Sequence, residues 1–411
     1  MPSRTAFRLG VTVLATTLAL SACGSRGDNT GGGSGQTGGG AGNKTAKIGV
    51  IAPLSGDLSA MGLGIQHSVE LAVKQANDSG AIPGWTLEVE AKDDEAKPET
   101  AKNAATALAG DSDVVGVVGT LNSSTAQNVQ PVLAPANIVM VSPANTNPSL
   151  TRGAEFADSP KRTYKNYFRT CTTDDVQGPF AAQYLLEQGI KTVATVHDKK
   201  TYGQGLVDAF TKEFTAKGGT VVAAETINPD DANYQNVLAA ISGKKPQAVY
   251  YGGEYPQGGP LSQQMKAGGL NVPLVGGDGL YNPKYVELAG GTSTGDMTTS
   301  VGAPLDTLAK GKEFTDGYSA QKYDQEPGAY GAYAYDAANA IIEGLKTSLK
   351  DAESAEAARQ ATVDAIGKVD LEGVTGQVAF DEYGDSKTRI LTVYTVKDGA
   401  WAVAKTGELQ G

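Results

Sequence analysis

From residue 47 onward the chain alternates short unbroken apolar runs with longer segments whose apolar positions recur every three or four residues. "KIGVIA" at 47–52 is a run of the first kind and predicts a buried strand. Residues 64–77 carry Ile65, Val69, Ala72, Val73 and Ala76 at helical spacing. A strand over 87–91 and a helix over 98–108 follow, with Pro98 at the helix start, where a missing N–H costs nothing. The cycle repeats as strand 114–118, helix 124–133 and strand 138–141. Such alternation predicts a parallel sheet with right-handed crossovers and helices on both faces.

The pattern then restarts. Strands over 192–196, 221–225, 248–251 and 274–275 alternate with helices over 205–217, 234–241 and 260–267. Two series of similar length predict two similar lobes. The remainder holds a helix in "AYGAYAYDAANAIIEGL" (329–345) and the helical stretch "AESAEAARQATVDAIGKV". A strand pair follows in "GQVAFDEYGDSKTRILTVYTVKDGAW", joined by a Gly-containing turn at 382–386. This tail is too incomplete for a third lobe, so it completes the first two.

Before residue 47 the pattern is of another kind. Arg4 and Arg8 precede an apolar run over 9–20, of signal-peptide length and too short to span a bilayer. The run ends in "LSAC" at 20–23, and Leu20 stands where an ordinary secretory cleavage site wants a small residue. "LSAC" resembles a bacterial lipobox, which implies that residues 1–23 are a lipoprotein signal ending in a lipidated Cys23. Residues 24–44 have almost no apolar side chains and many glycines, so they cannot offset their ordering entropy and read as a flexible tether. The working body is then expected outside the cell membrane, anchored through Cys23. No later apolar stretch is long enough to span a bilayer.

A formal charge of -11 and a sequence pI near 4.8 argue against nucleic acid as a partner, which needs clustered Lys and Arg. With Cys23 assigned to the anchor, only Cys171 remains, so no internal disulfide is possible and a buried, inert thiol is expected. The chain has two histidines, His67 and His197. His197 follows an apolar strand, which leaves a general-base role geometrically open. There is no HExxH, no Cys/His cluster spaced for zinc and no phosphate-loop pattern, and "GLG" at 62–64 lacks the third glycine of a dinucleotide fingerprint. The expectation is a non-catalytic chain with no cofactor and no metal.

Candidate chemistry gathers at strand ends. "GTLNSST" (119–125) puts Ser123, Ser124 and Thr125 where a strand gives way to a helix, and "SPANT" (142–146) follows the next strand. Free N–H groups and the positive end of a helix favour an anion, and short hydroxyls add donors. The bland alternative is that these residues are only helix caps.

Several ordered segments carry a resemblance: "KIGVIAPLSGDLSAMG", "DDEAKPETA", "VVGTLNSSTAQ", "VMVSPANTNPSLT", "YFRTCTTDDVQGP", "VHDKKTYGQGL", "AVYYGGEYPQGG", "LVGGDGL", "YDAAN" and "FDEYGD". From residue 47 to the C-terminus the chain resembles the leucine/isoleucine/valine-binding proteins of bacterial ABC importers. That resemblance implies the type I periplasmic-binding fold, an α/β architecture of two Rossmann-like lobes with a ligand cleft between them. Three crossings near 170–173, 301–303 and 379–381 would form the hinge. Lobe 1 would comprise 45–170 plus 303–378, and lobe 2 would comprise 171–302 plus 379–411.

The resemblance also implies roles. Positions matching Ser123, Ala144 and Thr146 bind a ligand α-carboxylate, Ala144 through its backbone, with Ser124 beside them. Asp278 matches the acidic partner of the ligand ammonium, where relatives often carry Glu; the alternative is an ordinary turn Asp. Tyr202 matches a tyrosine lining the site. Glu254 stands where some members carry a tyrosine, and three readings stay open for it: it accepts an ammonium proton, meets a polar or cationic side chain, or is solvated. Met61 stands where some members place an aromatic ring over the ligand side chain. Tyr330 and Tyr333 begin a helix that either reaches the cleft or packs in the core. The family's disulfide is absent, its positions matching Ala96 and Asn122. The implied function is an extracytoplasmic receptor, monomeric and lipid-anchored, that passes branched-chain amino acids to an ABC permease. Two alternatives are a receptor for another small solute (an amide, urea, a polar or aromatic amino acid) and a ligand-sensing lipoprotein without transport.

Overall fold

The computed structural model describes residues 43–410. The signal segment, Cys23 and all but the last residues of the tether lie outside them. The first sheet is built from five strands: β1 (Lys44–Ala52), β2 (Trp85–Asp93), β3 (Val114–Gly119), β4 (Val139–Ser142) and β5 (Tyr167–Arg169). They lie in the order β2-β1-β3-β4-β5, every pair parallel. All six residues of β3, "VVGVVG", are buried, as expected for a strand with helices on both faces. Gly119 ends β3 at φ 147, and a Cβ there would lie 2.3 Å from the Ile51 carbonyl oxygen, so β1 and β3 meet closely at their ends.

The second sheet contains β6 (Thr192–His197), β7 (Thr220–Thr226), β8 (Ala248–Gly252), β9 (Leu274–Gly276) and β10 (Met297–Ser300). β11 (Asp370–Glu372) and β12 (Gln377–Ala379) form a separate two-stranded ribbon, while β13 (Ile390–Lys397) and β14 (Ala400–Glu408) join the second sheet at its edge. Its order is β14-β13-β10-β9-β8-β6-β7, parallel from β7 to β10 and antiparallel beyond.

The expected strand pair about 382–386 is corrected here. That segment makes a single bridge, Phe380 to Ser386, because the Asp381 carboxylate accepts the N–H groups of Tyr383 (2.8 Å) and Asp385 (2.9 Å) and closes a local loop. The hairpin is instead β13–β14. It turns at Asp398-Gly399, both at positive φ (52 and 78), the conformation that an Asp-Gly hairpin turn favours.

The chain passes between the two sheets three times. After β5, helix Asp174–Glu187 packs on helix Thr201–Ala216 of the second sheet. After β10 the chain returns, and helix Gly331–Ser348 packs on Ser59–Asp78 and against β3 and β4. After β12 it enters β13. Asp336 ties this tail down, accepting from Val374 N–H (2.8 Å), Thr375 N–H (2.7 Å) and the Thr375 hydroxyl (2.6 Å). Arg152 and Arg169 pair with Asp385, at 3.1 and 2.8 Å, where the last passage begins. Cys171, on the first passage, is fully buried, and burial pushes its thiol up, away from the reactive thiolate. Among the described residues no helix is long and apolar enough to cross a membrane.

In each sheet the chain order reverses beside a central strand, at β1/β3 and at β6/β8. Ligand crevices in parallel α/β sheets lie at such points, beyond the carboxyl ends of the strands.

Candidate functional site

The loops and helix starts beyond six parallel strands converge there. They bring Met61 after β1, Leu121 to Ser123 after β3, Ala144 after β4, Tyr202 after β6, Glu254 after β8, and Asp278 with Gly279 after β9. Tyr330 arrives just ahead of helix Gly331–Ser348. These residues line one cavity of about 10 Å³, room for roughly one water molecule. A larger guest therefore requires the two halves to part. The close approach of helix Thr201–Ala216 to the end of β8 depends on two glycines: a Cβ on Gly252 would sit 2.0 Å from the Gly203 carbonyl oxygen.

Asp278 is the chemical centre. It is 1% exposed and starts a short 3-10 turn directly after β9. Its Oδ1 accepts from the Tyr202 hydroxyl (2.7 Å) and Gln177 Nε2 (3.0 Å), and its Oδ2 accepts from the Tyr330 hydroxyl (2.8 Å). Burial pushes its pKa above the ordinary carboxylate value despite these three donors, which act in the opposite direction. A carboxylate has about four acceptor positions, so roughly one is left for a further donor.

Glu254 lies just before helix Tyr255–Ala267 and accepts from Asn122 Nδ2 (2.7 Å) and Lys200 Nζ (2.9 Å). It is 5% exposed, so the solvated reading is excluded. Burial drives its pKa up, but Lys200, then Asp198 and Asn122, hold it below the ordinary value. Asp198, buried beside it, is pushed up to about 7 by burial and by Glu254, against the pull of Lys200. Of the two acids, Glu254 is thus the more readily ionised, with Lys200 paired to it at 2.9 Å.

The opposite wall offers donors. Ser123 opens helix Ser123–Leu133 and is buried. Ser142 Oγ accepts from the N–H groups of Ala144 (3.2 Å) and Asn145 (2.9 Å), shaping the loop that presents Ala144. Arg169, with no exposed surface, fixes that loop from behind, donating to the carbonyls of Asn145 (2.5 Å) and Asn147 (3.1 Å) and to Thr151 Oγ1 (2.7 Å).

Of the expected site residues, Met61, Ser123, Ala144, Tyr202, Glu254 and Asp278 share this cavity. Ser124 and Thr146 do not line it. Ser124 is half-buried one position further along its helix, and the buried Thr146 hydroxyl finds no partner among the described residues. His67 and His197 lie outside the lining too. Among the described residues no group of three or more His, Cys, Asp or Glu could hold a metal ion.

The sequence profile of the periplasmic binding protein family matches residues 45–400. The chain belongs to that family. It is 32% identical to the Leu/Ile/Val-binding protein BraC3 of Rhizobium johnstonii, over 87% of this chain and 93% of that one. It is 30% identical to the leucine-, isoleucine-, valine-, threonine- and alanine-binding protein of Pseudomonas aeruginosa, over 85% and 89%. Among solved structures, the branched-chain amino acid transporter substrate-binding protein LivJ of Streptococcus pneumoniae, in complex with isoleucine, superposes with a TM-score of 0.78. It shares 29% identity, covering 89% of this chain and all of that one. The leucine-binding protein LivK of Thermotoga maritima also gives 0.78, at 26% identity and with 88% and 98% covered.

For this periplasmic binding protein the sequence left several contributors unassigned. Tyr330 reaches the cleft and Asp278, whereas Tyr333 donates to the Val301 carbonyl beside the second passage. Gln177 and Lys200 carried no local signal beyond polarity near a helix start. Asn122, noted only as a missing disulfide position, contacts Glu254 across the cleft.

Proposed function

We propose that this periplasmic binding protein captures a free amino acid, of the branched-chain class, between lobes 45–170 plus 303–378 and 171–302 plus 379–411, and passes it to an ABC permease. The observation that carries the reading is Asp278, a buried acid with one acceptor position to spare, facing a helix start with Ser123 and Ala144 on the other wall. An ammonium takes the spare position of Asp278. The carboxylate of the same molecule takes Ser123 and the Ala144 N–H, with Ser124 and Thr146 contributing from just outside the cavity wall. Met61 and Leu121 supply apolar contact for an aliphatic side chain, and Tyr202 and Tyr330 orient the acid. The names of the relatives support the side-chain class. The role is that of a monomeric receptor without a catalytic step, and lipidation of Cys23 would anchor it to the outer face of the cell membrane.

Calorimetry and thermal melts of the chain against the common amino acids, small amides and urea test this reading. Leucine, isoleucine or valine at one hundred times its dissociation constant stabilises the folded state by about 2.7 kcal/mol. Leucine amide and leucine methyl ester, which lack the carboxylate, bind at least tenfold more weakly. Selective stabilisation by urea or an amide instead would refute the amino-acid reading.

A further inference from the structure

A second cavity, of about 620 Å³, shares no lining residue with the cleft. One wall comes from the segment after β9 and from the β13–β14 hairpin: Tyr281, Tyr394 and Trp401. The other comes from the stretch that leads back to the first sheet: Leu305, Leu308 and Ala332. The rings of Tyr281 and Tyr394 stack at 4.2 Å between centroids, and Trp401 tilts against Tyr281 at 6.3 Å. Trp401 Nε1 is already spent on the Asn282 carbonyl, at 3.1 Å, and the Tyr333 hydroxyl on that of Val301. What these side chains still offer a guest is therefore mostly aromatic face and aliphatic surface.

The charge of the lining has one sign. Among the described residues Glu287 is its only charged side chain, and it enters no ion pair. Burial raises the Tyr281 and Tyr394 phenols, and Asp306 adds to the rise at both, so a second acid stands near the aromatic wall. Among the described residues no Lys or Arg lines the cavity to receive a carboxylate.

We propose that this cavity is a second ligand site, separate from the cleft, that takes a small apolar amine carrying one positive charge. The volume falls in the usual range for small-molecule sites. The amine's hydrocarbon body covers Leu305, Leu308 and the ring faces. Its ammonium is drawn to the negative faces of the tyrosine and tryptophan rings and to Glu287. Among the described residues the one charge in the lining is negative, so a carboxylate gains no counter-charge there and anions and amino acids are disfavoured.

The test uses the full chain carrying Trp85→Phe, which leaves Trp401 as the only indole. Titration with 2-phenylethylamine is expected to give a saturable change in Trp401 emission. Phenylacetate should bind at least tenfold more weakly, and Glu287→Gln should weaken the amine roughly two- to fivefold, as for an exposed ion pair. Adding Asp278→Asn should leave the response in place, which separates this site from the cleft whatever the cleft binds. The proposal is overturned by an emission that does not saturate, by equal binding of phenylacetate, by an unchanged Glu287→Gln chain, or by loss of the response with Asp278→Asn.

Discussion

Replacing Asp278 by Asn separates binding from folding more cleanly than any other change in the cleft. The wild-type carboxylate fills three of its roughly four acceptor positions with Tyr202, Gln177 and Tyr330, leaving one for an ammonium. Asn keeps an oxygen for Tyr202 and Gln177, and its amide N–H meets Tyr330, whose hydroxyl turns from donor to acceptor. Stability of the unliganded chain should therefore stay within about 1 kcal/mol. Binding should not. A ligand ammonium left in a closed cleft without its counter-charge costs about 2–5 kcal/mol, or roughly 30- to 5,000-fold in affinity. The acidity of the site gives a second signature. Burial raises Asp278 above the ordinary value of 3.8, so as pH falls the unliganded site takes up a proton that the ammonium-bound form must release. Wild-type affinity thus weakens as pH drops into that window, and binding releases protons measurable by calorimetry in buffers of different ionisation enthalpy. The Asn chain should show neither effect. An Asn chain that binds leucine within fivefold of wild type, or that keeps the pH dependence, would remove Asp278 from the ammonium site.

Asn122→Ala deletes a charge-assisted hydrogen bond across the cleft, worth about 1.5–3 kcal/mol, and should raise the radius of gyration of the unliganded chain in small-angle scattering. An unchanged radius would mean that Asn122 does not hold the halves together. Asp94, fully buried with one oxygen unpartnered, is pushed up to about 7 by burial and by neighbouring Asp93. The folded state then holds a proton that the unfolded chain loses near 3.8, so stability falls as pH rises between those values. Asp94→Asn should flatten that slope and gain up to about 4 kcal/mol near neutral pH, read by denaturant titration across pH; an unaltered slope counts against it. Cys23→Ser should release the chain from the membrane fraction into the medium or periplasm, and a chain that stays in the membrane pellet would argue against lipidation.

The sequence made some of this plain because the signal was local. β3 reads as a strand since a parallel strand covered on both faces leaves an unbroken apolar run. The hydroxyls at 123–125 and 142–146 were visible because position follows topology: they come directly after strands. Where glycine and tertiary contact decided, the pattern misled. The first helix begins at Ser59, not 64, although "SAMGLG" lacks a helical stripe. Gly62 is needed there because a Cβ would lie 1.9 Å from the Pro53 carbonyl oxygen. The partners of the two buried acids were the least legible. Glu254 meets residues 132 and 54 positions away, and Asp278 one that is 101 away, through loops whose mutual register no local pattern encodes.

The cross-cleft bonds bear directly on which solutes the cleft rejects. Asp278–Tyr330 and Glu254–Asn122 link the halves through the protein's own donors, so a guest large enough to part the halves is held only by what it offers beyond the bonds it loosens. An ammonium adds, because it takes an acceptor position that none of these donors fills. A carboxylate also gains at small cost, since the Ala144 N–H leans on Ser142 at 3.2 Å while Asn145 holds the same oxygen at 2.9 Å and can keep it. A neutral amide offers Asp278 a weaker donor and brings no charge to the helix start at Ser123. A simple amine satisfies the acid but leaves that helix start facing nothing. On the proposed reading only a guest with both charges at amino-acid spacing improves both walls together, so selection by what each rival leaves unpaired is the expected outcome.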